Sequence, residues 1–110
     1  MSYNKHQILV NEILCVLSKN KNIRVWANNT GSAMSFDSER ILKYGLVGSA
    51  DILGIVAPNG TMLCVEVKTG AGVQSEAQKR FQEMITSRGG IYTLARSVDD
   101  IKYLLEVNNA

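Results

Sequence analysis

Apolar residues early in the chain fall at Leu9, Ile13, Val16 and Leu17, with Val10 and Leu14 beside them, the spacing of one buried helix face. This predicts a helix from Asn4 to about Ser18, with Asn4 as N-cap, Gln7 three residues on, and Asn20-Lys21-Asn22 closing it. Ile23 to Trp26 reads as a short strand ended by Asn28-Asn29-Thr30-Gly31. Residues 31–50 sustain no period and contain Gly31, Gly45 and Gly48, so a long loop is expected there; loops of that length are usually functional. Asp51 to Ala57 and Met62 to Lys68, rich in Ile, Val and Leu, read as strands joined by the hairpin residues Pro58-Asn59-Gly60-Thr61. Ser75 with Gln78 forms a capping box opening a helix whose stripe is Ala77, Phe81, Met84 and Ile85. Arg88 sits in its last turn and Gly89-Gly90 terminates it. Ile91 to Ala95 is a further strand, and Ser97 caps a last helix carrying Ile101, Leu104 and Leu105.

The order is helix, strand, long loop, strand, strand, helix, strand, helix. An antiparallel hairpin followed by a strand–helix–strand crossover gives a mixed sheet, because such a crossover places its two strands parallel and right-handed. The expected class is α/β, a mixed sheet flanked by helices. With 110 residues the chain reads as one domain, residues 1–110, since domains typically run about 100–150 residues.

Composition narrows the function classes. A hydrophobic content of 45% with 20% charged residues argues against intrinsic disorder. The net charge of +2 is unevenly spread: residues 97–110 hold Lys102 against Asp99, Asp100 and Glu106, so the other 96 residues carry eleven bases and seven acids, or +4. That permits nucleic acid as a partner without demanding it. Cys15 and Cys64 stand far apart in apolar stretches, which excludes a cysteine-rich zinc site and reads as two buried free thiols. The amino-terminal residues lack the apolar core of a signal peptide, and no run approaches the roughly 20 apolar residues of a membrane span. A soluble, cytoplasmic protein is expected.

The strand around Glu66 carries the chemistry. Side chains alternate, so Cys64, Glu66 and Lys68 share one face while Leu63, Val65 and Val67 share the other. If Asn59-Gly60 are the central turn residues, Asp51 lies across from Lys68 and diagonal to Glu66; an odd loop would turn Asp51 to the wrong face. Two neighbouring carboxylates repel unless a proton or cation lies between them, and Mg²⁺ is the natural guest of such oxygens. The Val67 carbonyl offers a further oxygen, and Lys68 is placed to offset charge on a reacting oxyanion. Such a set suits metal-assisted hydrolysis of a phosphodiester. Against this, E-x-K on a strand is most often a solvated surface pair.

The run Gly48-Ser49-Ala50-Asp51-Ile52, then Glu66-Val67-Lys68, then Ser75-x-x-Gln78, resembles the PD-(D/E)xK nuclease superfamily, and more closely its VRR-NUC (virus-type replication-repair nuclease) domain. The likeness also takes in the first helix with Glu12, the segment Trp26 to Gly31, and Gly89-Gly90. The superfamily's Pro before the first Asp is Ala50 here, a change in stiffness rather than in chemistry. The resemblance implies a restriction-endonuclease-like fold and phosphodiester hydrolysis dependent on Mg²⁺, with Mn²⁺ substituting. It implies Asp51, Glu66, the Val67 carbonyl and Glu12 as metal ligands, Lys68 as catalytic lysine, and Gln78 reaching the site from its helix start. Without the resemblance, Glu12 reads as an exposed helix position and Gln78 as the capping partner of Ser75. His6 reads as a surface or capping residue, and Trp26 and Tyr92 as core or partly buried aromatics. Arg40 and Lys43 in the long loop, with Ser75, are candidate DNA contacts.

Short members of the resembled family are similar to symmetric dimers that resolve four-way DNA junctions, so the expected partners are branched DNA and a second copy of the chain, with no membrane and no organic cofactor. A flap endonuclease, a non-catalytic DNA-binding module and a metal-free interaction domain are the alternatives. The presence of all of Asp51, Glu66 and Lys68 speaks against a degenerate module.

Overall fold

Asn4 caps the first helix as expected: its side-chain oxygen accepts from the backbone N–H of His6 and Gln7. In the computed structural model, residues 4–28, 31–34, 41–44 and 46–106 are described, with 31–34 and 41–44 as backbone. The elements run α1 (Lys5–Ser18), β1 (Ile23–Ala27), β2 (Gly31–Met34), β3 (Ile41–Tyr44), β4 (Ile52–Val56), β5 (Thr61–Val67), α2 (Glu76–Ser87), β6 (Ile91–Ala95) and a final 3-10 helix, Val98–Glu106. The main sheet has the order β1-β4-β5-β6, antiparallel except for the parallel pair β5/β6 that the crossover through α2 requires.

Strand alternation sorts the core into two layers. Ile52, Val56, Leu63, Val65 and Val67 meet Val10, Ile13 and Leu17 of α1 and Ile101 and Leu104 of the final helix. On the opposite face Cys64 packs with Ala50 and with Phe81 of α2, flanked by Leu53, Met62 and Tyr92. β5 is therefore covered on both sides, and Leu63 through Val67 are all buried. The expected α/β class holds.

Four details differ from the reading of the sequence. The long loop contains a second antiparallel hairpin, β2/β3, whose short strands show no alternation strong enough to betray them. The strands begin and end one residue away from the expected limits, because the turn is the four residues from Ala57 to Gly60 and Val56 pairs with Thr61. The last helix is 3-10 in type, and the Asp100 carboxylate, in place of the expected Ser97 cap, accepts from the N–H groups of Arg96 and Ser97. Cys64 is a buried free thiol, but Cys15 is exposed, since it lies off the Val10-Ile13-Leu17 stripe.

The small residues before β4 have a packing reason. Gly48 has φ +83°, and a Cβ there would lie 2.5 Å from the backbone carbonyl carbon and oxygen of Ala77, in the first turn of α2. The start of α2 can approach Asp51's strand only over a bare backbone. Gly60, at φ +70°, has open space around it. Gly48→Ala is expected to lower stability by about 2 kcal/mol or more, through both backbone strain and overpacking, and Gly60→Ala by about half that, through strain alone. Urea unfolding of the two variants checks the order.

Candidate functional site

The site is built at the open end of the β4–β5 pair. The ladder ends at Ile52 with Val65, so the next residues, Asp51 and Glu66, fall directly opposite one another. The sequence reading paired Asp51 with Lys68; the two-residue shift arises because the four-residue turn lies one residue earlier, at Ala57 to Gly60 in place of Pro58 to Thr61. Because the shift is even, Asp51, Glu66 and Lys68 keep one face, and the two acids come closer than a diagonal pair.

Asp51 is tied down on both sides. Its carbonyl accepts from Asn28 N–H at 2.8 Å, while the Asn28 amide nitrogen donates to Ser49 Oγ at 2.6 Å and to the Ala50 carbonyl at 2.9 Å. Its Oδ2 accepts from the Val67 N–H at 2.8 Å. That N–H lies beyond the last ladder pair, and the carboxylate takes the place of the missing strand partner.

Glu66 is 3% exposed, and its Oε2 is buried with no hydrogen-bond partner among the described residues. Burial, a hydrogen bond to Asp51 and the charge of Asp51 push its carboxyl up to about 8, with the ammonium of Lys68 pulling the other way. Two carboxyls can share a hydrogen bond only if one keeps a proton, so the metal-free pair holds one near neutral pH. Such a pair, with an orphaned oxygen, fits a divalent cation in the proton's place. Among the described residues no three His, Cys, Asp or Glu side chains already stand close enough together to hold a metal ion, so a cation here would need backbone oxygen, water and small side-chain adjustments to fill its shell. Mg²⁺ is commonly held that way.

The first helix supplies a residue that the sequence reading placed elsewhere. His6 Nε2 lies 3.3 Å from Asp51 Oδ2 and 3.1 Å from the Val67 carbonyl oxygen. His6 is thus part of the site, where a surface or capping role was expected. The available signal was the helix stripe: His6 stands one turn before Val10 on the line of Val10, Ile13 and Leu17, which faces the sheet. Glu12 lies off that line. It is exposed and borders a groove with Ile8, Asn11, Cys15 and Val98.

Other residues frame the site. Gln78 completes the capping box, its Oε1 accepting from Ser75 N–H at 2.8 Å and its own N–H donating to Ser75 Oγ at 3.1 Å. Arg96 was not foreseen: its guanidinium donates to the carbonyls of Gly70 at 3.3 Å and Gly72 at 2.7 Å, clamping the loop beside half-buried Lys68. Tyr92 is partly buried, as expected, and accepts a hydrogen bond from Gln74 at 3.1 Å. Trp26 is not core; it is 46% exposed on the edge strand β1. Arg40 lies outside the described residues, and Lys43 is described only as backbone of β3, paired with Ser32.

Known structures share this architecture. A solved "VRR_NUC domain" aligns over 96% of this chain and 99% of its own, with TM-score 0.65 and 20% identity. A solved "VRR_NUC domain protein" aligns over 96% of this chain and 88% of its own, with TM-score 0.62 and 15% identity. The chain has the VRR-NUC fold. No protein-family model matches the sequence, and no curated protein matches it. The VRR-NUC likeness is therefore carried by backbone geometry, in keeping with the expected restriction-endonuclease-like sheet. Among the described residues no helix is long and apolar enough to cross a membrane.

Glu66 gives a pH signature. Its carboxyl ionises near 4.5 when free and near 8 in the folded, metal-free chain. Below the lower value both states are protonated and stability is full. Between the two values the unfolded chain sheds its proton first, so stability falls as pH rises, by up to about 1.4 kcal/mol per pH unit. Urea unfolding in a chelator is expected to show this slope, and Glu66→Gln is expected to flatten it.

Proposed function

We propose that this chain is a divalent-cation-dependent DNA endonuclease acting on branched DNA, and that it works as a homodimer that resolves four-way junctions. The observation that carries the reading is the pairing of part-exposed Asp51 with buried Glu66, whose Oε2 has no hydrogen-bond partner among the described residues, beside Lys68 in a VRR-NUC fold.

Asp51, Glu66 and the Val67 carbonyl would hold Mg²⁺ or Mn²⁺, and Glu12 is a further ligand only if DNA or a second copy draws it inward. A bound cation supplies Lewis-acid charge for phosphate oxygens and makes water a better nucleophile at neutral pH. The chain's own residues do the rest. Asp51 is immobilised by Asn28 and the Val67 N–H, so its oxygens need no reorganisation when substrate arrives. Lys68, at the mouth of the site, offsets the charge that grows on the scissile phosphate and orients the attacking water. Gln78 spends its oxygen on the cap, leaving its amide nitrogen to donate to a phosphate oxygen at the α2 N-terminus, where anions are favoured. Ser75, Arg40 and Lys43 extend the backbone contacts.

One site cuts one strand, so paired cuts need two copies. Exposed Leu46 and Val47 line a groove with Phe81 and Met84 of α2, an apolar surface that a second copy would cover. The shape of branched DNA, rather than base identity, is what so small a basic surface reads.

Cleavage of an end-labelled four-way junction in Mg²⁺, beside linear duplex and flap controls, tests the reading. Paired symmetric nicks are expected, with Lys68→Ala slower by roughly a hundredfold or more. Cutting of flaps alone would remove the resolvase and keep the nuclease. No cation-dependent cutting of any substrate would leave a DNA-binding module.

A further inference from the structure

The geometry points to His6 as a nitrogen ligand of the site's cation, an inference that rests on the metal-dependent reading above. Its Nε2 stands 3.1 Å from the Val67 carbonyl oxygen and 3.3 Å from Asp51 Oδ2. Neighbouring ligands of an octahedral ion at about 2.1 Å are separated by about 3 Å, because they subtend a right angle at the metal. The imidazole nitrogen therefore keeps the spacing that a third ligand must keep from both oxygens. Two further facts favour this role. The side chains of His6 and Asp51 are 39% and 27% exposed, so the space between them opens to solvent and to an entering ion. The ring is delivered by the first turn of a helix that is itself fixed, through the Asn4 cap and the buried Val10-Ile13-Leu17 stripe.

In the metal-free chain the same atoms serve a hydrogen bond, Nε2–H pointing at oxygens that attract a positive charge. Loading the site replaces that proton by the cation, with the ring as the Nδ1–H tautomer. The consequence is metal preference. An imidazole nitrogen favours Mn²⁺, Co²⁺ and Zn²⁺, whereas an all-oxygen site is the setting that suits Mg²⁺. This chain is thus built to discriminate in favour of the borderline metals.

Mn²⁺ and Mg²⁺ binding to the DNA-free protein, measured by calorimetry, and ¹⁵N shifts and relaxation of the single histidine ring, measured by NMR, test the inference. Mn²⁺ is expected to broaden the His6 ring signals at substoichiometric amounts, and diamagnetic Zn²⁺ to move the Nε2 resonance to the metal-bound range. His6→Ala is expected to weaken Mn²⁺ binding at least roughly tenfold and Mg²⁺ binding less, narrowing the Mn²⁺/Mg²⁺ ratio. His6→Glu, an oxygen ligand in the same place, is expected to restore binding with the preference moved toward Mg²⁺. His6 lies at a part-exposed helix start, so both variants keep the fold, which circular dichroism verifies. Mn²⁺ binding with an unchanged Mn²⁺/Mg²⁺ ratio in His6→Ala, or with a Zn²⁺-insensitive Nε2, overturns the inference and leaves the metal-dependent reading standing. Absence of cation binding at Asp51 and Glu66 overturns both.

Discussion

A carboxyl on the central strand of the sheet, shut away from water and set against a second carboxyl, is the constraint around which this protein is organised. Glu66 belongs to a strand buried on both faces, flanked along it by buried Val65 and Val67. An acid there destabilises the metal-free fold as soon as it ionises. The structure contains that cost by letting the pair keep a proton, and by placing Lys68 one alternation further toward the open end. A cation brought to the pair would relieve that same burial of charge, which is the physical basis of the cation-dependent reading proposed above. On that reading, stability of the free fold and readiness for a cation are opposed at one residue.

The rest of the architecture serves to hold Asp51 still. Asn28, at the end of β1, fastens the three residues from Ser49 to Asp51, and the Val67 N–H fastens the carboxylate itself. Bare backbone at Gly48 lets the first turn of α2 close on the segment that leads into Asp51. Arg96, reaching back from the end of β6, pins the loop that follows Lys68. Four elements distant in sequence therefore converge on a site of few reacting groups, and their hydrogen bonds are mostly to backbone. Such bonds fix geometry while constraining few side-chain identities. That is consistent with a fold shared with VRR-NUC structures at 20% and 15% identity.

Helix α1 does two jobs with one stripe. Val10, Ile13 and Leu17 bury it against the sheet, and the same line continued one turn back brings His6 beside the Asp51 carboxylate. A helix glued down by its apolar face makes a precise arm for whatever residue ends that face. Glu12, two-thirds of a turn off the line when counted from His6, has solvent and the Cys15 groove for surroundings instead.

The sequence by itself determined the class of fold, the two long helices with their caps, and the hairpin that presents Asp51 and Glu66 on one face. Periodicity and capping are local, and the parity of a strand pair survives an even error in the turn. The short strands of β2 and β3 left no trace, since four residues give alternation too little length to stand out. Tertiary structure alone decided what register, neighbours and burial control: that Asp51 faces Glu66 rather than Lys68, that the Glu66 oxygen has no partner among the described residues, and that His6 rather than Glu12 arrives beside Asp51. Each of these depends on how far two elements slide or rotate against each other, and that is set by the packing of the whole core, which no local stretch of sequence contains.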